Sequence, residues 1–338
     1  MAASLLKRLL VIVPTLLGVS ILAFGLIRLV PGDPVLLLIG ERGASPEVYA
    51  EMRANLGLDQ SLLNQYMQFV GRAVTGDLGT SIISKRPVME EFLDRFPATV
   101  ELGFLAMILA IAIGIPVGIV AAVKRNSFLD YFFIGVSLIG YSMPIFWWGL
   151  ILILVFSVSL GWTPVSGRID VLYDIEPVTG FMLIDSLLSE EGWPAFWDAL
   201  RHLALPAMAL GTIPLAVVTR MTRSSLLEVL GEDYIRTAKA QGYGSLWVVC
   251  VYAMRNALIP VVTVIGLMFG SIITGAILTE TIFSWPGIGK WLVHSVTARD
   301  YPVIQGGILL IACLVIMINM GVDLMNSLVN PKLRDLQS

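Results

Sequence analysis

Gly231-Glu-Asp-Tyr-Ile-Arg-Thr-Ala-Lys-Ala-Gln-Gly242 is a polar stretch in a chain that is otherwise mostly apolar. Its pattern predicts a short helix. Asp233 is placed to cap the start, Lys239 stands in the last turn where a cation suits the helix dipole, and Gly242 ends it. Tyr234, Ile235 and Ala238 fall at i, i+1 and i+4 and share one face, while Arg236 and Lys239 point elsewhere. A helix shorter than about 12–15 residues is marginal in water by itself. One carrying this much charge does not hide in lipid either. The segment therefore needs a protein surface, and a groove that accepts a short amphipathic helix is the expected one. The alternative is a connector lying along the membrane surface.

Composition sets the surroundings of that helix. Of 338 residues 57% are hydrophobic and 14% charged, against about 25% charged in soluble domains, which marks a membrane protein in contact with a lipid bilayer. A net charge of −3 without a basic, aromatic-interleaved cluster gives no reason to expect a nucleic-acid partner. Cys250 and Cys313 fit neither a disulfide framework nor a CxxC metal site, and His202 and His294 stand alone, so no metal site is expected. Ser284-Trp-Pro-Gly-Ile-Gly-Lys-Trp291 ends like a phosphate loop but lacks the first glycine and the hydroxyl after the lysine. The carboxylate Asp323 has no matching aspartate, and no Ser/His pair presents itself. No catalytic residue and no nucleotide site are expected in this chain. Energy has to arrive from another subunit.

The apolar runs predict an all-α polytopic fold with six transmembrane helices. Leu9–Leu29 is the first, about the 20 residues a bilayer core requires, and too long for a cleaved leader. Thr99–Val123 is the second, and Tyr131 to about Leu160, interrupted by Pro144, is the third. His202 to about Arg220, Leu258–Phe283 and Val303–Leu328 complete the set. Lys7/Arg8, Lys124/Arg125, the run from Arg220 to Arg255 and Lys332/Arg334 fall on one side if both termini are cytoplasmic, as the positive-inside rule asks. Residues 31–97 form a long extracytoplasmic region with helical patterns at Pro46–Leu56, Leu62–Val74 and Val88–Arg95 and a turn at Gly76–Ser81. Its apolar Leu56, Leu58, Leu62, Leu63, Met67 and Phe69 need cover. The organisation is thus 1–97, a core of five spans over 98–330 with a cytoplasmic loop at 223–257, and a cytoplasmic tail at 331–338. On the outer side, Asp170, Asp174, Glu176, Asp185, Glu190, Glu191 and Asp198 make an acidic loop with Trp162, Trp193 and Trp197 as interfacial anchors.

Three ionisable residues fall at or near membrane depth: Glu101, Glu280 and Asp323. A charge at the bilayer centre costs at least ~2.5–3.5 kcal/mol, so each should face protein or a water-filled path. Glu280, beside Thr279 and Thr281, is read as lining a translocation path, with an inter-helix hydrogen bond as the alternative. Tyr141-Ser142-Met143-Pro144 puts a helix-bending proline beside polar groups, which suits a gate or a packing kink. Gly114/Gly118 and Gly266/Gly270, the latter followed by Thr274, are small-residue spacings for close helix packing.

The form DYIRTAKAQG, continued by Arg255-Asn-Ala-Leu-Ile-Pro-Val-Val-Thr263, resembles the cytoplasmic signature loop of permease subunits of binding-protein-dependent ABC importers, in the peptide and nickel subgroup. Pro31-Gly-Asp-Pro34, Gly76–Ser81, Tyr141–Trp148 and Glu280–Gly287 extend the resemblance over nearly the whole chain. The wider family has a glutamate before two alanines where this chain has Arg236-Thr237-Ala238; Gly242 keeps its spacing. The resemblance implies the type I ABC importer permease fold, with Glu232, Asp233, Tyr234, Ile235, Arg236, Thr237, Ala238, Lys239, Gln241 and Gly242 as the coupling helix and its flanks. It implies a second homologous permease subunit, two ABC ATPase subunits that bind ATP and Mg, and an extracytoplasmic peptide-binding protein. It also implies a bacterial inner-membrane location and contact of the second permease with Gly266, Gly270 and Thr274. By overall likeness the solute is a dipeptide; oligopeptides, nickel, haem-like and amine solutes are the alternatives within the family. An ion-driven secondary transporter is the rival outside it, although the paired mid-membrane charges and repeats it wants are not evident.

Overall fold

The computed structural model describes residues 2–29, 35, 45–55 and 57–329. Pro31–Pro34, Leu56 and the tail at 331–338 lie outside the described residues. By internal contacts the chain divides into two units, Met1–Phe96 with Lys290–Ile316, and Pro97–Gly289 with Met317–Ser338.

In the first unit, α1 (Ala2–Leu29), α2 (Pro46–Asn55) and α3 (Leu62–Val74) appear where apolar and helical patterns place them. Ser61 caps α3 by accepting from the Asn64 N–H. Aromatic contacts tie α3 to α1, with Phe24 edge-on to Tyr66 and stacked on Phe69 at ring separations of 5.3 and 6.3 Å. Ser20 and Tyr66 share a hydrogen bond of 2.9 Å. The chain covers only part of the apolar stripe. Phe69 is packed, Leu58 half-buried, and Leu62, Leu63 and Met67 stay exposed. The turn at Gly76–Ser81 is present, with Gly76 and Gly79 at φ +84° and +85°. Ser81 Oγ donates to Asp300, 2.5 Å away, and Trp291 Nε1 donates to Glu91 at 2.6 Å.

Val88–Arg95 is not a separate helix. It is the opening of α4 (Val88–Val123), which runs on through Pro97. In the second unit α5 (Phe128–Ser142) and α6 (Ile145–Leu152, continued by wider π turns to Ser159) meet at Met143–Pro144 with a bend of 109°. The expected kink is thus a full break. The missing Pro144 N–H and its restricted φ end one helix and let the next start. After the short α7 (Met182–Leu188), α8 (Trp193–Leu230) is the central element, followed by α9 (Asp233–Ala240) and α10 (Met254–Ile282), which is entered through Ser245–Trp247 and π turns at Val248–Ala253. α11 (Ile288–Thr297) and α12 (Tyr301–Val329) close the chain.

Among the described residues four helices are long and apolar enough to cross a membrane, and the bent pair is a fifth. The sixth span is expected in α1, whose apolar stretch among the described residues, Ile12–Gly25, is shorter than the others. Within the second unit Leu102, Ala106, Met107 and Ala110 of α4 interlock with Leu203, Ala207 and Leu210 of α8 and Ile272 and Ala276 of α10. Glycine lets the backbones close in. A Cβ on Gly118 would stand 2.6 Å from Thr222 Cβ and 2.7 Å from the Thr219 carbonyl oxygen; one on Gly211 would stand 2.8 Å from that of Ala106.

Candidate functional site: the polar helix and its seat

Helix α9 forms where its sequence predicts, with one change at its start. The N-cap residue is Glu232, in an extended conformation and without a side-chain cap bond. Asp233 is the first helical residue rather than the cap. Its carboxylate still favours the positive helix end, and it takes a 3.4 Å ion pair from Arg236, both side chains being exposed and the pair therefore weak. Thr237 Oγ1 donates to the Asp233 carbonyl. Gly242 stands at φ +86° and ends the helix, its N–H returning to the Lys239 carbonyl at 3.0 Å.

The groove that receives the apolar face belongs to this chain. Ile235 is 0% and Ala238 3% exposed, packed with Leu226 of α8, Val248, Val249 and Ala253 of the π turns, Met254 and Ala257 of α10, and Ala122 of α4. Burying an isoleucine side chain is worth about 1.5–3 kcal/mol. That seat is what holds so short a helix in place. Tyr234, expected on the same face, sits at its margin, with its hydroxyl accepting from Asn256 Nδ2 at 2.8 Å. What α9 turns outward is its polar side: Glu232, Asp233, Arg236, Thr237, Lys239, Gln241 and Gly242 are all exposed.

Beside this polar strip lie large apolar side chains. Tyr243 packs on Tyr252 with ring centres 5.4 Å apart, and Leu246 (83%) and Trp247 (56%) stand open. Aromatic residues and arginine beside a polar strip are the composition of a protein-binding surface. Leu246 and Trp247 were not singled out by the motif. Two large apolar residues directly after Gly242-Tyr-Gly244 and before the span were the available signal.

A second missed feature lies one turn deeper. Asp130, 1% exposed, takes a forked pair of hydrogen bonds from Arg223: Nε to Oδ1 at 2.6 Å and Nη2 to Oδ2 at 2.8 Å. The Asn126 N–H donates to Oδ2 as well, and Ser127 Oγ accepts from the Asp130 N–H. Ser127-x-x-Asp130 is the capping-box spacing, which the sequence displayed.

The other predicted residues fall elsewhere. Glu280 is 0% exposed and accepts from Thr99 Oγ1 at 2.5 Å, with Gly287 and Gly289 backbone against its carboxylate. Within this chain it serves the inter-helix bond rather than an open path. Glu101 is likewise held, by Arg168 at 2.6 Å and by the Leu183 N–H. The acidic loop is partly structural: Asp185 accepts from Thr179 and Gly180, and Asp198 from the Asp170 N–H. Ser142 and Pro144 line an open groove with Leu138, Ile139, Met143, Phe146 and Trp147, and the half-exposed Tyr141 ring next to it lies 4.9 Å beneath the Arg220 guanidinium. The close approaches at Gly266 and Gly270 are to Val322 and Asn319 of α12, within this chain. The side chains of Thr274 and Asp323 lie outside the described residues.

An all-helical membrane fold with a polar helix seated on the ends of its spans defines a transport-system membrane subunit. The chain matches the family of binding-protein-dependent transport system inner membrane components over residues 114–335 and that family's N-terminal membrane component over residues 1–103, and it belongs to that family. It is 59% identical over 328 residues to the di/tripeptide transport system permease protein DppB of Pseudomonas aeruginosa, covering 97% of each chain. It is 55% identical over 334 residues to the dipeptide transport system permease protein DppB of Escherichia coli K12, covering 98% of each. Among solved structures it is similar in fold to the MetNI methionine ABC transporter in an inward-facing form. The TM-score is 0.55 at 18% identity, with 72% of this chain and 98% of that one covered.

Proposed function

We propose that this chain is the permease subunit of an ATP-driven, binding-protein-dependent importer that moves dipeptides or short peptides across the bacterial inner membrane by alternating access. The observation that carries the coupling part is the seat of α9: its apolar side is fixed by this chain's own Leu226, Val248 and Ala257, and its polar side faces outward. A helix held this way transmits a push, because its rear is part of the permease core and its front is free to enter a cleft. The solute class is supported by the names of the relatives at 59% and 55% identity.

In this reading two ABC ATPase subunits meet Glu232–Gly242 and hold ATP and Mg. A second, homologous permease completes the pore, and a peptide-binding protein delivers solute from outside. Both termini face the cytoplasm. ATP binding closes the ATPase pair, α9 moves with it, and the spans open outward; hydrolysis resets the inward-facing state. Inverted vesicles depleted of energy and loaded with the binding protein and a labelled dipeptide test it. Export into the medium resupplied by ATP, and not by a proton gradient, is expected; the reverse dependence would assign an ion-driven transporter instead.

A further inference from the structure

One helix, α8, holds both arms of the broken span and carries the seat of α9 at its end. The first arm, α5, is gripped by the Arg223–Asp130 fork near its start and by the Arg220–Tyr141 stack near its end. The second arm, α6, is gripped by Trp148, whose Nε1 donates to Thr212 Oγ1 at 3.0 Å. Gly140 adds a tight approach, since a Cβ there would stand 2.8 Å from Thr212 Cγ2. One turn further toward the C-terminal end of the same helix Leu226, three residues past Arg223 and so on the same face, is 0% exposed against Ile235 and Ala238.

We propose that the Asp130–Arg223 fork is the positioning link through which displacement of α9 reaches the broken span, and that the bend at Met143–Pro144 is where that displacement opens the path. The proposal rests on the importer reading above. A bidentate arginine–carboxylate pair fixes angle as well as distance, so α5 cannot swivel on α8 while the fork is intact. The Asn126 N–H takes a further acceptor position at 2.9 Å, and Asp130 is 1% exposed. Breaking one side leaves a buried, unmatched charge, which makes the contact all-or-none rather than gradual. The span it moves is already interrupted by a bend of 109°, and a break between two short rigid arms is where a hinge absorbs motion. The groove of Leu138, Ser142, Pro144 and Trp147 lies at that hinge. Asp130 and Arg223 touch no solute and no ATPase in this account; they act through α5.

The test uses the reconstituted complex of the permease pair, ATPase pair and binding protein, with a radiolabelled dipeptide. Uptake and ATP hydrolysis are measured together, and the amount of complex in the membrane is measured separately. Asp130→Asn and Arg223→Gln are each expected to lower dipeptide moved per ATP by about tenfold, within the range for residues that couple distant sites. Hydrolysis and complex in the membrane should stay near wild type. The double variant should be no worse than either single one, because both remove the same link. Arg223→Lys keeps the charge but not the fork, and is expected to uncouple as well, which decides the matter if a neutral variant does not assemble. An unchanged ratio of uptake to hydrolysis in Arg223→Lys, or losses that multiply in the double variant, would overturn the link. So would uptake and hydrolysis of Arg223→Lys falling together in step with lost complex, the sign of a purely structural pair. A wild-type complex that shows no ATP-driven dipeptide uptake would instead remove the importer reading on which the link rests.

Discussion

Gly242 carries the sharpest single-residue constraint of the α9 loop. Its φ of +86° is ordinary for glycine and strained for any residue with a Cβ, by about 1–2 kcal/mol. Nothing lies within 4 Å of the position a Cβ would take, so the penalty is in the backbone and not in a clash. Gly242→Val is therefore expected to abolish ATP-driven uptake with normal amounts of protein in the membrane, while Gly242→Asn, which tolerates the left-handed region, should keep most of it. Full uptake in the valine variant would remove the assignment of this turn. Glu280 teaches the complementary lesson. A carboxylate at membrane depth reads from sequence as a path residue or a buried bond, and Thr99 Oγ1 at 2.5 Å decides for the bond. Thr99 and Glu280 are 181 residues apart, and no periodicity in either span announces the other.

Elements explain why so short a helix persists. α9 has 8 residues, below the length that is stable alone in water, and its apolar face is paid for by contacts from four other segments. Its outward charges are then free for a partner. Reversing them in Arg236→Glu with Lys239→Glu is expected to leave the permease in the membrane and to reduce co-purified ATPase severalfold, more so at low salt, where surface charges are least screened. Equal ATPase recovery at all salt concentrations would count against docking on this face. The α4–α8 contact sets the opposite kind of demand. Gly118 meets the Thr219 carbonyl and Thr222 at distances that leave no room for a side chain. Gly118→Leu must therefore push two spans apart, a change costing about 1–3 kcal/mol or more, and the expected result is loss of protein from the membrane. Wild-type levels and thermal stability of that variant would contradict the packing.

At the scale of the molecule, the importer reading puts the α9 loop and the acidic loop on opposite sides of the membrane. Cys250 is exposed beside the first, and Val171, 98% exposed, lies in the second. An impermeant maleimide should reach Cys250 only in inside-out vesicles, and a Val171→Cys variant lacking Cys250 only in right-side-out cells. Labelling of Cys250 from outside would invert the arrangement. Much of this was legible in the chain itself. Runs of apolar residues fix where helices span, because a bilayer demands about 20 of them in a row, and charge bias orients them. Helix α9 and its glycine stop were equally plain, because capping, dipole and left-handed backbone are local properties of a few neighbours. Pairings across the bundle were not local. That α9 seats its apolar side on its own core, that Asp130 meets Arg223, and that Gly266 and Gly270 face α12 depend on which helices become neighbours. Lipid is as apolar as the helix faces, so hydrophobic pattern leaves partners undecided, and only close packing and satisfied polar groups in the folded bundle select them.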